Sequence, residues 1–256
     1  QGSGASPCIW STILDTILWS MAQKHIGYKM TSPSGKVVRK IGDAYVDDTA
    51  LMYVAQTDTE MKQEEREEVN TEINKMAQDF EKKLFSTGGE LALHKCYWYL
   101  IDWRWEEDGT AIMATIKDSP GTMMLTKGNE IKKVQIERLE CNDAMRTIGV
   151  RICPSGQQET EYRYRLEQTR DFAKKLLGGR LPRSLALRAY KNVYIPMISY
   201  PLGASTLSEI QLRKIHSEIE KAYLAKAGIN RKFPKAVLRG PKKYGGHGDP
   251  SLYTRK

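Results

Sequence analysis

From Ile9 the apolar residues Trp10, Ile13, Leu14, Ile17, Leu18 and Met21 recur at helical spacing, and Ser6-Pro7 supplies an N-cap followed by proline in the first turn. Gly27 closes this predicted helix. Two β-like runs, Tyr28–Thr31 and Lys36–Ile41, then flank Ser32-Pro33-Ser34-Gly35, a composition suited to a hairpin turn. In a second hairpin Ala44-Tyr45-Val46 leads into Asp47-Asp48 and then into Leu51-Met52-Tyr53-Val54, so two aspartates fall at the tip between β-prone arms. Thr57 and Glu60 form a capping box for a long helix with an apolar face of Val69, Ile73, Met76, Ala77, Phe80 and Leu84, ended by Gly88-Gly89.

Strand-like runs follow at Leu91–Trp105, Ala111–Ile116, Thr122–Thr126, Ile131–Leu139 and Thr147–Ile152, with turn residues such as Asp118-Ser119-Pro120-Gly121 between them, as in an antiparallel sheet. After Pro154-Ser155-Gly156 the pattern becomes helical: Glu159–Leu177, Pro182–Tyr194 ending ahead of Pro196, and Thr206–Ala227 ending at Gly228. The remainder, rich in Gly, Pro and basic residues, lacks periodicity and reads as an extended or frayed tail. These patterns predict an α+β chain: residues 1–156 with an antiparallel sheet and two packed helices, an all-helical region over 157–229, and a basic tail over 230–256.

Composition narrows the function classes. The apolar run from Ile9 to Met21 is broken by Ser11, Thr12, Asp15, Thr16 and Ser20, so it is neither a membrane span nor a signal segment, and an intracellular protein, nuclear or cytoplasmic, is expected. Cys8, Cys96, Cys141 and Cys153 are widely spaced, which argues against a zinc site or a disulfide framework. The net charge of +9 is uneven: residues 157–256 hold 21 Lys/Arg against 8 Asp/Glu, and residues 1–156 hold 19 against 23. A basic half suits a polyanion, and an acidic half suits metal or structural carboxylates. A solvated basic surface explains the first equally well.

Adjacent carboxylates on a tight turn repel, and a hard divalent cation relieves that repulsion. Asp-Asp alone is weak, because turns favour Asp; Tyr45-Val46-Asp47-Asp48 on a hairpin is more specific. With it stand Gln1-Gly2-Ser3-Gly4-Ala5-Ser6-Pro7 ahead of a helix, the lysine-bearing Gly88-Gly89-Glu90-Leu91-Ala92-Leu93-His94-Lys95-Cys96, and Thr147-Ile148-Gly149-Val150 ahead of a helical region. In this order the motifs resemble reverse transcriptases, RNA-directed DNA polymerases of retroelements, and lean to the non-LTR type. The resemblance implies a partial polymerase palm followed by a thumb-like helical domain, Mg²⁺ or Mn²⁺ as cofactor, and an RNA template, a DNA primer or RNA–DNA duplex and a dNTP as partners.

Carried over by position, the resemblance makes Asp47 and Asp48 metal ligands and Tyr45 a residue lining the primer end. Gln1, Gly2, Ser6 and Pro7 would form the turn beneath the template and incoming nucleotide, Lys95 would serve the departing pyrophosphate, and Ile148, Gly149 and Val150 would grip the primer. Arg163, Arg170, Lys174 and Lys175 fall in one predicted helix and could track phosphates, as could basic residues of the tail. Bland readings stand beside these: an ordinary turn at Asp47-Asp48, a structural Asp43, an exposed strand lysine at Lys95, a bulged strand at Gly149, and sheet core for Tyr97, Trp98, Tyr99, Trp103 and Trp105.

The family's first catalytic aspartate and its fingers region precede the Gln-Gly segment, and the chain opens at Gln1 rather than Met, which points to a fragment or processed product. Asp15 cannot substitute, since it lies after Ser6-Pro7 within a helix. The competing reading is a noncatalytic nucleic-acid-binding remnant; an RNA-templated RNA polymerase is disfavoured by the Gln-Gly and Ser-Pro context. On the polymerase reading this chain alone should extend a primed RNA little or not at all with Mg²⁺ or Mn²⁺, and robust extension in a gel-based primer assay would contradict it.

Overall fold

The computed structural model describes residues 6–46, 48–55, 60–249 and 251–252. It is a mixed α+β chain with small sheets and a helical C-terminal half, and it divides into two compact units, 1–141 and 142–256. Among the described residues no helix is long and apolar enough to cross a membrane.

In the first unit, α1 (Ser6–Ala22) buries Leu14, Ile17 and Met21 of its expected face. Hairpins β1–β2 (Tyr28–Thr31, Val37–Lys40) and β3–β4 (Gly42–Tyr45, Asp48–Leu51) follow. Helix α2 (Gln63–Ser86) is the centre of the unit. Its Met76, Phe80 and Leu84 pack with Leu14, Ile17 and Met21 of α1, and its Val69 and Ala77 pack with Trp98, Leu100, Met123, Leu125 and Ile136. The helix starts later than the expected capping box: Lys62 is the N-cap, and its backbone N–H donates to Glu65 at 2.7 Å. Thr57 lies outside the described residues.

The single antiparallel sheet expected for this half is not formed. Short strands make several small sheets: β5 (Tyr97–Trp98), β9 (Lys133–Arg138) and β8 (Met123–Thr126) lie in that order, with β5 parallel to β9, while β6 (Trp103–Trp105) pairs with β7 (Ala111–Met113). Burial alternates through Trp98, Leu100 and Asp102, so the extended pattern of Leu91–Trp105 is real in part. The run nevertheless begins with a 3₁₀ turn, Leu93–Lys95, and its ends pair with different strands. Buried Asp102 is matched by Arg66 at 2.6 Å.

Edge strand β8 is satisfied by a helix instead of another strand. Asn74 donates to Thr122 O (3.0 Å) and accepts from Met124 N (2.9 Å), Gln78 donates to Thr126 O (3.2 Å) and accepts from Thr126 N (2.8 Å), and Glu81 accepts from Gly128 N (2.6 Å). Positions i, i+4 and i+7 of α2 thereby complete backbone groups that an open edge would leave to solvent.

The second unit opens with a hairpin, β10–β11 (Met145–Thr147, Val150–Ile152), and from Glu159 to Ala227 its elements are helical. Helices α3 (Glu159–Gly178) and α6 (Glu209–Ala227) pack together. Ser208 caps α6 reciprocally with Gln211, and Gly228, at φ 74°, ends it. The expected stop ahead of Pro196 is instead a widened turn. Helix α4 (Arg183–Ala189) passes through a π-helical segment, Tyr190–Tyr194, into α5 (Ile195–Ser199), with Ile195 N bonding to Tyr190 O. Wider winding accommodates a proline that lacks an N–H and crowds the preceding turn.

The described part of the tail, residues 230–249 and 251–252, is neither extended nor frayed: it forms α7 (Lys235–Arg239) and buries Leu238 and Leu252 in the core. Tyr190 stacks on Tyr223 at 3.9 Å between ring centroids, and Asp249 accepts a hydrogen bond from the Tyr223 hydroxyl. Glu220 of α6 meets Lys235 at 2.9 Å and Arg239 at 3.5 Å from α7. Burial alone would raise the Glu220 pKa, but Lys235, His216 and Arg239 outweigh it and hold the carboxyl below its usual value.

Burial pushes His216 down to about 4, against the opposing pull of Glu220 and in concert with Arg239 and Lys235. A buried neutral histidine contributes stability that is present above its unfolded pKa of about 6.5 and lost as the pH falls toward the folded value. Relative to His216→Met, the chain should therefore lose on the order of 1–3 kcal/mol between about pH 6.5 and 4 in urea unfolding monitored by circular dichroism, and parallel pH profiles would contradict this.

Candidate active-site hairpin

The register Tyr45↔Asp48 closes β3–β4 just beyond Tyr45, so Asp48 begins β4 instead of sitting at the tip as expected. Asp47 lies outside the described residues, as do Gln1 and Gly2. Val46 has φ 57°, the left-handed region that a β-branched residue strongly disfavours. Holding it there costs about 1–3 kcal/mol, and such strain concentrates at functional turns. The indole N–H of Trp10 on α1 donates to the Val46 carbonyl and ties the tip to the helix that begins with Ser6 and Pro7.

Alternation along the hairpin puts Asp43, Tyr45, Asp48 and Ala50 on one face and Ala44, Thr49 and Leu51 on the other. Leu51 packs against the core clusters on both sides of α2, so the aspartate face looks to solvent; Tyr45 and Asp48 are exposed. Gly42 is required at the base, since a Cβ there would lie 2.0 Å from Ala50 O. Asp43 is engaged by Lys40 at 2.7 Å, which fits the structural reading of it.

Among the described residues Asp48 makes no ion pair, and no three His, Cys, Asp or Glu side chains gather as a metal cluster. Asp48 offers exposed carboxylate oxygens, the donor type that a hard divalent cation takes. Lys95 is exposed at the end of its 3₁₀ turn, not in a strand.

Ile148-Gly149 forms the tip of the β10–β11 hairpin, with φ of 50° and 81°, a primed turn rather than a bulge. Both tip carbonyls are held: Tyr200 donates its hydroxyl to Ile148 O at 2.9 Å, and Arg165 donates to Gly149 O at 2.7 Å. Buried Glu161 in turn holds Arg165 and accepts from Arg151 N at 2.9 Å. Val150 is buried. Trp10, Arg165, Glu161 and Tyr200 were not singled out by sequence; Arg165 and Glu161 at i, i+4 look like an ordinary solvated helix pair there.

On α3, Arg163 pairs with Glu159 at 2.7 Å and Arg170 with Glu218 at 3.5 Å, so their charges are partly compensated. Lys174 and Lys175 are exposed and carry no ion pair among the described residues. Of the aromatic run, Trp98 is core and Tyr97 packs edge-on to Tyr99, while Trp103 and Trp105 stand exposed on β6. Asp102, Glu106, Glu107 and Asp108 flank those two tryptophans, a setting unsuited to a polyanion.

No protein-family model matches the chain, and no curated protein matches it.

Since Gly149 already fits its position, Ile148→Asn would create the Asn-Gly pair favoured in such turns and should raise unfolding stability by about 1 kcal/mol in a urea titration. A lower or unchanged stability would mean that Ile148 is held by packing rather than strained.

Proposed function

We propose that this chain is the palm and thumb part of a non-LTR-type retroelement reverse transcriptase, which synthesises DNA on an RNA template. The observation that carries the reading is the Tyr45-Val46-Asp47-Asp48 hairpin: an exposed carboxylate turn on a rigid base, with Val46 held at φ 57° and its carbonyl bonded by Trp10. An ordinary hairpin turn has no use for a β-branched residue there, because Asn or Gly fits without strain.

On this reading Asp47 and Asp48 hold Mg²⁺ or Mn²⁺. When bound, the cations supply activation of the primer 3′-hydroxyl and charge stabilisation of the departing pyrophosphate. Asp48 presents its oxygens on the solvent face beside Tyr45, which lines the primer end, and Trp10 and Leu51 keep the turn from shifting. Lys95 offers a positive charge to the pyrophosphate, and the clamped Ile148-Gly149 turn offers a stiff support for the primer strand. Lys174 and Lys175, exposed and without ionic partners among the described residues, serve phosphates better than Arg163 and Arg170 do.

In the longer polypeptide that the resemblance implies, Asp47→Asn or Asp48→Asn should lower primer extension on RNA by at least about 10²–10³-fold. Duplex affinity should stay within about twofold, because an exposed carboxylate contributes little to phosphate binding. Extension that survives both substitutions would overturn the assignment.

A further inference from the structure

Between Asp15 and Asp43 the chain carries five Lys/Arg and no Asp or Glu, although residues 1–156 as a whole are acidic. The structure gathers this charge on one element. Strands β1 and β2 form an exposed two-stranded ribbon in which Lys29 lies directly opposite Arg39, with Met30 opposite Val38 and Thr31 opposite Val37. Like charges at directly opposed positions destabilise a ribbon, and two strands by themselves are marginal in water. Among the described residues Lys29, Lys36 and Arg39 have no ion pair, whereas Lys40 is neutralised by Asp43 and Lys24 is shared with Asp79 at 3.9 Å.

The ribbon is not loosely attached. Gly27 at its foot has φ 64°, and a Cβ there would lie 2.1 Å from Lys40 O, so the strands meet closely. Ile41 O accepts from Met52 N at 2.8 Å and Gly27 O from Val54 N at 3.3 Å, which fastens the foot to the segment leaving the aspartate hairpin. Beside the foot a cleft of about 210 Å³ is lined by Lys24, His25, Arg39 and Lys40.

We propose that the β1–β2 ribbon binds a nucleic-acid backbone, with Lys29, Arg39 and Lys36 on its phosphates, and so adds phosphate contacts from the acidic unit to those expected of Arg163, Arg170, Lys174 and Lys175. The charge is complementary, and phosphates interposed between Lys29 and Arg39 remove the repulsion that the bare ribbon carries. The proposal shares the nucleic-acid partner of the reading above and is independent of catalysis by Asp47 and Asp48.

The test is fluorescence anisotropy of the full chain on an RNA–DNA duplex of about 20 base pairs, titrated across roughly 50–200 mM KCl. Lys29→Ala/Arg39→Ala should flatten the slope of log K against log salt by about two and weaken binding about tenfold near 150 mM. Lys82→Ala/Lys132→Ala removes the same charge elsewhere in the unit and should change the slope by less than half as much. Should the ribbon variant melt early, Lys36→Ala, with an expected slope loss of about one, carries the same comparison. An unchanged slope, an equal loss in the Lys82 and Lys132 variant, or displacement of the duplex by polyglutamate as readily as by RNA would each overturn the proposal, the last by pointing to an acidic protein. Asp48→Asn, made in the longer polypeptide, should lower extension while leaving binding intact, which separates failure here from failure of the polymerase reading.

Discussion

Helix α2 is buried from two sides, and the first unit depends on that. One side packs Met76, Phe80 and Leu84 against α1, the other packs Val69 and Ala77 against the small sheet, and between them Asn74, Gln78 and Glu81 complete the backbone of β8. Each large apolar side chain contributes about 1.5–3 kcal/mol by burial, and each hydrogen bond about 1 kcal/mol net. The larger effect of the bonds is to remove an unsatisfied edge, which would cost more than the bonds return. The same helix holds the aspartate hairpin, because Leu51 and Tyr53 pack into both of its clusters. A turn that carries strain at Val46 can persist only on a base this well determined.

What was legible in the sequence was what period alone encodes. The apolar stripe of α2 follows from local spacing nearly residue for residue, as do the first hairpin and the Gly228 stop of α6, while the second hairpin is shifted, with Asp48 inside β4 and the return strand ending at Leu51. Asn74, Gln78 and Glu81 could not be read: at i, i+4 and i+7 they resemble a solvated helix face until β8 is known to lie beside them. Pro196 misled for the opposite reason. Proline usually stops a helix, and only the π-helical turn at Tyr190–Tyr194 lets the chain continue past it. The tail misled through composition, since Leu238 and Leu252 are widely separated apolar residues without periodicity and pack into a core shared with α6, far back in the chain. At the candidate site the tetrapeptide was visible, whereas the Trp10 bond depends on how α1 and the hairpin pack.

The second unit is stabilised in another way. Its core is built on stacked Tyr190, Tyr194 and Tyr223, and burial raises the pKa of all three hydroxyls well above the ordinary tyrosine value, so they remain neutral donors. Neutral hydroxyls still require partners, and Thr169 at 3.0 Å and Asp249 supply two of them. Buried Asp249 and partly buried Arg239 thus join the tail to α6 by polar contacts whose loss costs more than at the surface, while Lys235 reaches buried Glu220 from an exposed position. A basic tail of this kind is first a structural element, and its charge is partly used internally.

The two hairpin tips share one device. Val46 and Ile148 are both β-branched, both lie at positive φ, and each has its carbonyl fixed by a side chain, Trp10 in one unit and Tyr200 in the other. Flexible turns would be cheaper to fold with Asn or Gly at these positions, so conformational ease does not explain the residues present. A bulky residue at a strained tip has fewer alternative backbone states than glycine, and a bonded carbonyl removes more of them. What both turns gain is a fixed position for their backbone. Fixed geometry is of most use where a ligand must be held in register, and of least use in a connecting loop.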